Sequence, residues 1–369
     1  MRVLFDHSVF TLQTRGGISR YFCELARNLQ KDPECSPRIL APCHRSALLR
    51  EMKGLPVMGK YLPPVSHTHR LRQWINNGLS TLTLPFMRPD LVHATYYLAK
   101  IRIPAGTPLV VTVFDMIHER FPDNLPPGEQ NIARAKRRCV QQADHIICIS
   151  RQTKKDLVDI IGLDERKISV IYLGCSFPLA GHKDPKPLVV EPYFFYVGNR
   201  GGVKNFKLLV DALAQASSLT GAFRLVCFGG GPFTAGELRY IRERGLPVEM
   251  FVQTGGNDLV LENLYRHATA LVYPSLYEGF GLPVLEAMAC DCPVICSDCS
   301  SLPEVAGQAA LLFDPHSPDA LRNCMEQVAG SVAKREHLIL AGRQQCCRFS
   351  WSRCAGETMR VYRQCLEMN

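Results

Sequence analysis

Two carboxylates, Glu278 and Glu286, stand eight residues apart in LYEGFGLPVLEAMACDCPVI, residues 276–295. Gly279 and Gly281 lie between them, so the backbone N–H groups of Phe280, Gly281 and Leu282 can point at a ligand. Pro283 reads as the first residue of a helix, where its missing N–H costs nothing. Glu286 then falls in the first turn, where an acid also complements the helix dipole with no ligand at all. Carboxylates accept hydrogen bonds from vicinal hydroxyls, and backbone donors serve sugar oxygens or a phosphate. The chemistry this stretch suits is a site for a sugar and a phosphate.

Other glycine turns carry related chemistry. YFFYVG (193–198) runs into NRGGVKNF, which sets Arg200 and Lys204 around two glycines. A cationic, glycine-rich turn between strand and helix is a phosphate cradle. It matches neither the G-x-x-x-x-G-K-[ST] loop nor the full G-x-G-x-x-G. FRLVCF is followed by Gly229, Gly230 and Gly231, a further point of close backbone approach, and RVLFD (2–6) leads to Gly16 and Gly17 before a helix. Taken singly, each is also an ordinary turn. His93, closing the run LVHATYY, either lines an acceptor surface with Tyr96 and Tyr97 or sits buried and satisfied.

These turns need strands to hold them. Short apolar runs at 2–6, 89–94, 108–115, 145–150 and 168–174 read as strands of a sheet covered on both faces. Helical patterns intervene at 16–30, 129–143 and 150–162, the last with Ser150 as N-cap. Residues 175–192 hold four prolines and break the pattern, as a linker does. Alternation resumes with strands at 193–198, 223–229, 248–252, 270–275, 293–298 and 309–314. Two successive βαβ series imply an α/β chain of two doubly wound, Rossmann-like domains. Ligands bind outside the carboxyl ends of such strands, so paired domains place a cleft between them.

A chain of 369 residues with 46% apolar and 21% charged residues fits two ordinary globular domains. No run of 18 uncharged apolar residues occurs, so a spanning helix is not expected. The opening MRVLFDHSVF turns polar too quickly for a signal peptide. The 16 cysteines show no paired zinc spacing. Cys148, Cys227 and Cys296 lie in apolar strand runs and read as free thiols of a reducing cytoplasm. No D-x-D is present, and no metal site is expected. Residues 1–185 carry 26 Lys and Arg against 16 Asp and Glu, whereas residues 186–369 are near neutral. Arg134, Lys136, Arg137 and Arg138 cluster on one helix. That surface would suit peripheral, salt-sensitive contact with an anionic membrane, or simply be solvated.

PSLYEGFGLPVLEAMACDCPVICSD, with SSLPEVAG after it, resembles the E-x7-E signature of family 4 glycosyltransferases, retaining enzymes of the GT-B fold. RGGISRYFCEL, VVTVFDMIHERFP, YVGNRGGVKNFKLLVDAL and FSWSRCAGETMRVY extend the resemblance along nearly the whole chain. It implies an acceptor-side domain at 1–180, a nucleotide-sugar domain at 190–350, and a helix at 351–369 packing back on the first domain. By the same resemblance Glu286 matches the acid on the nucleotide ribose, and Glu278 the acid facing the donor sugar. Phe280, Gly281 and Leu282 match its backbone donors, Lys204 the cation on the diphosphate, and Gly17 a loop near the same phosphates. Gly230 and Arg200 would complete the donor cradle. The sequence departs from the pattern at Val203, where many relatives have arginine, and at Phe114-Asp115, where many have His-Asp. Arg200 would stand in for the first; His118, with Asp115, for the second. Asp291 replaces a turn glycine.

The activity so implied is retaining, metal-independent transfer of a hexosyl group, mannose or glucose. The donor would be a GDP- or UDP-sugar acting as co-substrate, with no other cofactor. The acceptor would be a polysaccharide or lipid-linked oligosaccharide of the cell surface, the work being done in the cytoplasm or at the inner face of the membrane. No nucleic acid is implied. Two other readings stay open: a sugar-nucleotide-binding protein that has lost catalysis, and a GT-B phosphorylase or epimerase.

Overall fold

Short runs of β-branched, leucine and aromatic residues form thirteen strands among the residues described in this computed structural model. Those residues are the whole chain except 64, 66–67, 98–102, 125–128, 130, 178–185 and 368–369. The first sheet contains β1 (Arg2–Phe5), β2 (Ser36–His44), β3 (Val57–Tyr61), β4 (Leu91–Ala94), β5 (Leu109–Val113), β6 (His145–Cys148) and β7 (Ile168–Val170), in the order β3-β2-β1-β4-β5-β6-β7. The second contains β8 (Tyr193–Val197), β9 (Arg224–Phe228), β10 (Phe251–Thr254), β11 (Ala270–Tyr273), β12 (Val294–Ser297) and β13 (Leu311–Phe313), in the order β10-β9-β8-β11-β12-β13. Every ladder is parallel, with Val3 opposite Leu91 in the first sheet and Leu271 opposite Val294 in the second. Helices cover both faces, which is why β4, β6, β11 and β12 are buried at every position.

The chain divides into two compact units, Met1–Gly174 with Ser350–Asn369, and Cys175–Phe349. Eleven strands lie within or beside the runs expected from sequence; β2 and β3 were not anticipated. Pro37 and Pro42 interrupt the apolar pattern of β2, and the β2–β3 register shifts between Leu40 and Cys43, beside Pro42. Part of the proline-rich segment read as a linker, residues 178–185, lies outside the described residues. Cys148, Cys227 and Cys296 are fully buried in β6, β9 and β12.

Both sheets reverse strand order at one place, between β1 and β4 and between β8 and β11, where successive crossovers run in opposite directions. In the first unit Asp6 closes this point. Its buried carboxylate accepts the Ser8 N–H at 3.0 Å, the Ser8 hydroxyl at 3.1 Å, the Thr95 N–H at 3.1 Å and the Thr95 hydroxyl. An acid tied to this many donors is fixed in place, so it acts as a clamp between the ends of β1 and β4.

The last helix, Trp351–Glu367, packs on the helix Gly17–Leu29 within the first unit. Tyr362 hydrogen-bonds His93 Nδ1 at 2.6 Å, while Thr112 reaches Nε2 at 2.8 Å. His93 is therefore the buried, satisfied histidine and not a lining of the acceptor surface. Burial lowers its pKa to about 3. An unfolded chain takes up this proton near the ordinary value of 6.5 and the folded chain does not, so stability falls as pH drops from 6.5 towards 3. Removing the imidazole should flatten part of that decline. Chemical unfolding of His93→Gln at pH 7 and pH 5 is expected to show a loss about 2 kcal/mol smaller than that of the parent.

Candidate functional site

The second unit gathers the expected donor-site residues at the carboxyl ends of β8 and β11. After β8 the chain turns through Gly198, at φ 127°, and a short 3-10 segment, Gly202–Lys204, into the helix Phe206–Ala214. Val203 is buried there, and its carbonyl accepts the Leu276 N–H at 2.7 Å, joining this turn to the one after β11. Lys204 reaches across the same gap. Its ammonium donates to Glu278 Oε1 at 2.5 Å and to the Tyr273 hydroxyl at 3.1 Å, and lies 5.2 Å from the Tyr273 ring centre.

The β11 turn is fastened from β12 as well. Ser300 Oγ accepts the Glu278 N–H at 2.9 Å, and Ser301 Oγ donates to the Glu278 and Phe280 carbonyls. Gly281, at φ 103°, begins the helix Leu282–Ala289 without a side-chain cap. The leading N–H groups of such a helix have no acceptor within it. Pro283 is its second residue, not its first, and Glu286 its fifth. Glu286 thus stands in the second turn, beyond the first turn where an acid best offsets the dipole. It accepts the Tyr265 hydroxyl at 3.1 Å instead. Burial, then the neighbouring Glu286, pushes the Tyr265 phenol well above its usual range; burial and then Glu278 do the same to Tyr273.

Arg200 occupies a different environment from Lys204. Its side chain is almost wholly buried, paired to Glu237 at 2.8 Å and 4.3 Å from the Phe233 ring centre. It also donates to the carbonyls of Gly229, Gly231 and Pro232 at 2.9–3.2 Å. Gly230, at φ 70°, leaves room for this, since a Cβ there would lie 2.9 Å from Arg200 Nη1. Glu237 also forms a capping box with Thr234. Burial opposes its ionisation, but the Thr234 donors and Arg200 outweigh this and hold its carboxyl below the ordinary value. Arg200 and the triple glycine therefore build the wall behind Lys204.

In the first unit, Gly17 is the exposed first residue of its helix, and the Gln13 carboxamide accepts the Ser19 N–H at 3.2 Å beside it. Phe114 is packed edge-to-face on Tyr21 and Phe22, with ring centres 5.3 Å and 6.0 Å away. Asp115 accepts the Ile117 N–H at 3.1 Å and lies 3.9 Å from His118 Nδ1, while His118 Nε2 is 3.3 Å from Glu129. Lys136 is buried, not displayed: its ammonium donates to the Asp115 carbonyl and to Glu119, each at 2.8 Å. The expected basic helix surface shrinks to Arg134, Arg137 and Arg138, because the two nearby acids draw Lys136 inward. Tyr265 and Tyr273 were missed by sequence reading. Both look like core tyrosines of apolar runs, and only the fold aims their hydroxyls at the site.

The signature described as Glycosyltransferase Family 4 matches residues 15–176, and that described as Glycosyl transferases group 1 matches residues 182–345. The chain belongs to glycosyltransferase family 4, of the GT-B type. Among its relatives, the O-antigen chain mannosyltransferase B of Escherichia coli is 31% identical over 235 residues. That match covers 61% of this chain and 61% of the relative, so it spans about three fifths of the relative's length. The fold of this family 4 member resembles sucrose-phosphate synthase from Thermosynechococcus elongatus, with TM-score 0.78, 19% identity and full coverage of both chains. It also resembles Anabaena HepE, solved with UDP and glucose, with TM-score 0.70, 16% identity and coverage of 97% and 98%.

The two cations should separate experimentally. Arg200→Ala leaves Glu237 and several carbonyls without their buried partner and is expected to cost about 3 kcal/mol of stability. Lys204→Ala, at a more open site, should cost about 1 kcal/mol. Urea unfolding measures both; an Arg200 variant of full stability that has lost nucleotide binding would give Arg200 a direct ligand role instead.

Proposed function

We propose that this family 4 glycosyltransferase transfers a hexosyl group, mannose or glucose, from a GDP- or UDP-sugar to a glycan acceptor with retention of anomeric configuration. The observation that carries the reading is the Lys204–Glu278 pair, held with Tyr273 between the turns after β8 and β11. The anomeric carbon–oxygen bond to the diphosphate breaks, the bond to the acceptor oxygen forms on the same face of the sugar, and the acceptor hydroxyl's proton passes to the departing diphosphate oxygen. Negative charge grows on the departing diphosphate, and Lys204 together with the leading N–H groups of Leu282–Ala289 can offset it. This offers charge stabilisation from the chain's own groups, and no metal is invoked.

Glu278, once its ammonium partner turns to the diphosphate, accepts hydroxyls of the donor sugar. Glu286, oriented by Tyr265, accepts the ribose hydroxyls. In the first unit the proposed contributors are Gly17, Asp115 and His118; in the second, Arg200 and Gly230 position the cradle. A mannosyl donor is favoured by the naming of the Escherichia coli relative, and a uridine nucleotide by the ligand of Anabaena HepE. A polysaccharide acceptor fits the naming of the same relative for an O-antigen chain; a lipid-linked oligosaccharide, met at the cytoplasmic face of the membrane, is the other acceptor proposed. Phe114, buried in an aromatic cluster where the family pattern leads one to expect histidine, supports a second reading in which the chain binds a sugar nucleotide without turning it over.

A panel of UDP-, GDP- and ADP-sugars read by thermal shift should single out one donor, since ligand bound only to the folded state raises its melting temperature. Glu286→Gln is expected to weaken the matching nucleoside diphosphate about tenfold, and Lys204→Ala to lower turnover about a hundredfold. NMR of the product reads retention directly. Donor binding with neither hydrolysis nor transfer would select the non-catalytic reading.

A further inference from the structure

The helix His69–Met87 in the first unit is built largely inside out. Its inward face is polar until its last turn, where Leu84 and Met87 join Leu4, Leu40 and Val92. Buried Asn76 donates to Thr11 Oγ1 at 2.9 Å and to the Cys43 carbonyl at 3.0 Å, and accepts the Cys43 N–H at 2.8 Å. Asn77 meets His7 Nε2 at 3.1 Å, Ser80 is buried, and Arg72 donates to the Leu62 and Pro63 carbonyls at 3.0 Å and 2.9 Å. The outward face carries Leu71, Trp74, Leu79, Leu82, Pro85 and Phe86, all exposed, with Trp74 at 74% and Phe86 at 88%. At 100° per residue these six, with Ile75 and Gly78, fill one continuous arc that holds no charged or polar side chain. Scattered apolar residues on a surface need no explanation, but a row this long on one helix marks a contact.

The charges around the row say what that contact is. From Cys35 to Pro89 the sequence has eight Arg and Lys residues and one acid, Glu51, which is paired with Arg15. Lys53, Lys60 and Arg88 are exposed, as is Arg50, whose guanidinium lies 5.4 Å from the Tyr61 ring centre. Arg72 ties Leu62 and Pro63 to the helix, so Lys60 and Tyr61 stand beside its first turns, and Arg88 caps its end. Leu62 and Val65 extend the apolar row there. Apolar side chains flanked by cations are the pattern of a helix lying in the headgroup region of an anionic bilayer. A second copy of the chain is a poorer occupant, because a two-fold contact through this face would set its cations against one another. No helix among the described residues is long and apolar enough to cross a membrane.

We propose that the outward face of His69–Met87 seats this chain on an anionic lipid surface, with Trp74, Leu82 and Phe86 inserted and Lys60 and Arg88 on the headgroups. This moves the membrane contact away from Arg134–Arg138, where the charge pattern of the sequence alone had set it. Such a seat would hold whichever sugar the chain transfers.

The chain has two tryptophans and Trp351 is buried, so a change in emission reports Trp74. With phosphatidylglycerol–phosphatidylethanolamine vesicles at low salt, emission should shift to the blue and be quenched by brominated acyl chains. Phosphatidylcholine vesicles should give much less. Leu82→Gln/Phe86→Gln should cut the vesicle-bound fraction about tenfold or more with an unchanged melting temperature. Lys60→Glu/Arg88→Glu should lose the preference for phosphatidylglycerol. No binding to the anionic vesicles, binding unaffected by the Gln pair, or a dimer in sedimentation velocity that the Gln pair abolishes would each overturn the proposal.

Discussion

Much of the second unit hangs on one pairing, the contact of Lys204 with Glu278 across the point where strand order reverses. β8 and β11 are neighbours, but the crossovers that leave them run to opposite faces, so their following turns part and leave an opening. The Leu276 N–H to Val203 carbonyl bond bridges that opening in the backbone, and the ion pair bridges it in side chains. Both charged groups are largely shielded, at 21% and 10% side-chain exposure, so neither is well compensated by water. Each then needs a partner of opposite charge, and a diphosphate offers the ammonium one just as Glu278 does. The turn is thus held in shape by the same demand that suits it to an anion.

The surroundings turn this demand into geometry. Ser300 and Ser301 tie the β11 turn to the loop after β12, and Arg200 is consumed by Glu237 and the carbonyls of the glycine turn. Lys204 is the more open of the two cations, at 21% side-chain exposure against 2% for Arg200. A preorganised wall beside a partly open cation suits an event in which charge appears during reaction, because fixed donors need no reorganisation. The first unit shows the same economy: Asp6 clamps β1 to β4, and His93 ties Tyr362 of the last helix to Thr112 of β5 through its two ring nitrogens.

The helix His69–Met87 obeys a separate constraint. Its inward Asn76 and Asn77 bond Thr11, His7 and the Cys43 backbone, and apolar burial is confined to Leu84 and Met87 at its end. Most of its apolar residues are left outside, where water disfavours them. Such an arrangement lowers free energy only when something apolar covers the face, and the surrounding excess of Arg and Lys narrows what that can be.

The sequence by itself determined the parallel, doubly wound plan, because β5, β6, β11 and β12 are nearly all apolar runs that only a sheet covered on both faces can bury. It also made the spacing of Glu278, Glu286, Lys204 and the glycine turns legible, since those depend on local chain geometry. β2 stayed hidden behind Pro37 and Pro42, which a bulge accommodates only once β1 and β3 are in place. Tertiary structure alone decided which cation is wall and which is open: Arg200 and Lys204 flank the same glycines, yet Glu237, 37 residues further on, claims one and Glu278 the other. It likewise set Glu286 in a second turn beside Tyr265, drew Lys136 inward onto Glu119, and turned Trp74 and Phe86 outward. Periodicity marks the two faces of a helix, but which face meets the protein depends on what its neighbours present to it, and here Cys43 of β2 and Thr11 and His7 of the short helix after β1 present polar groups.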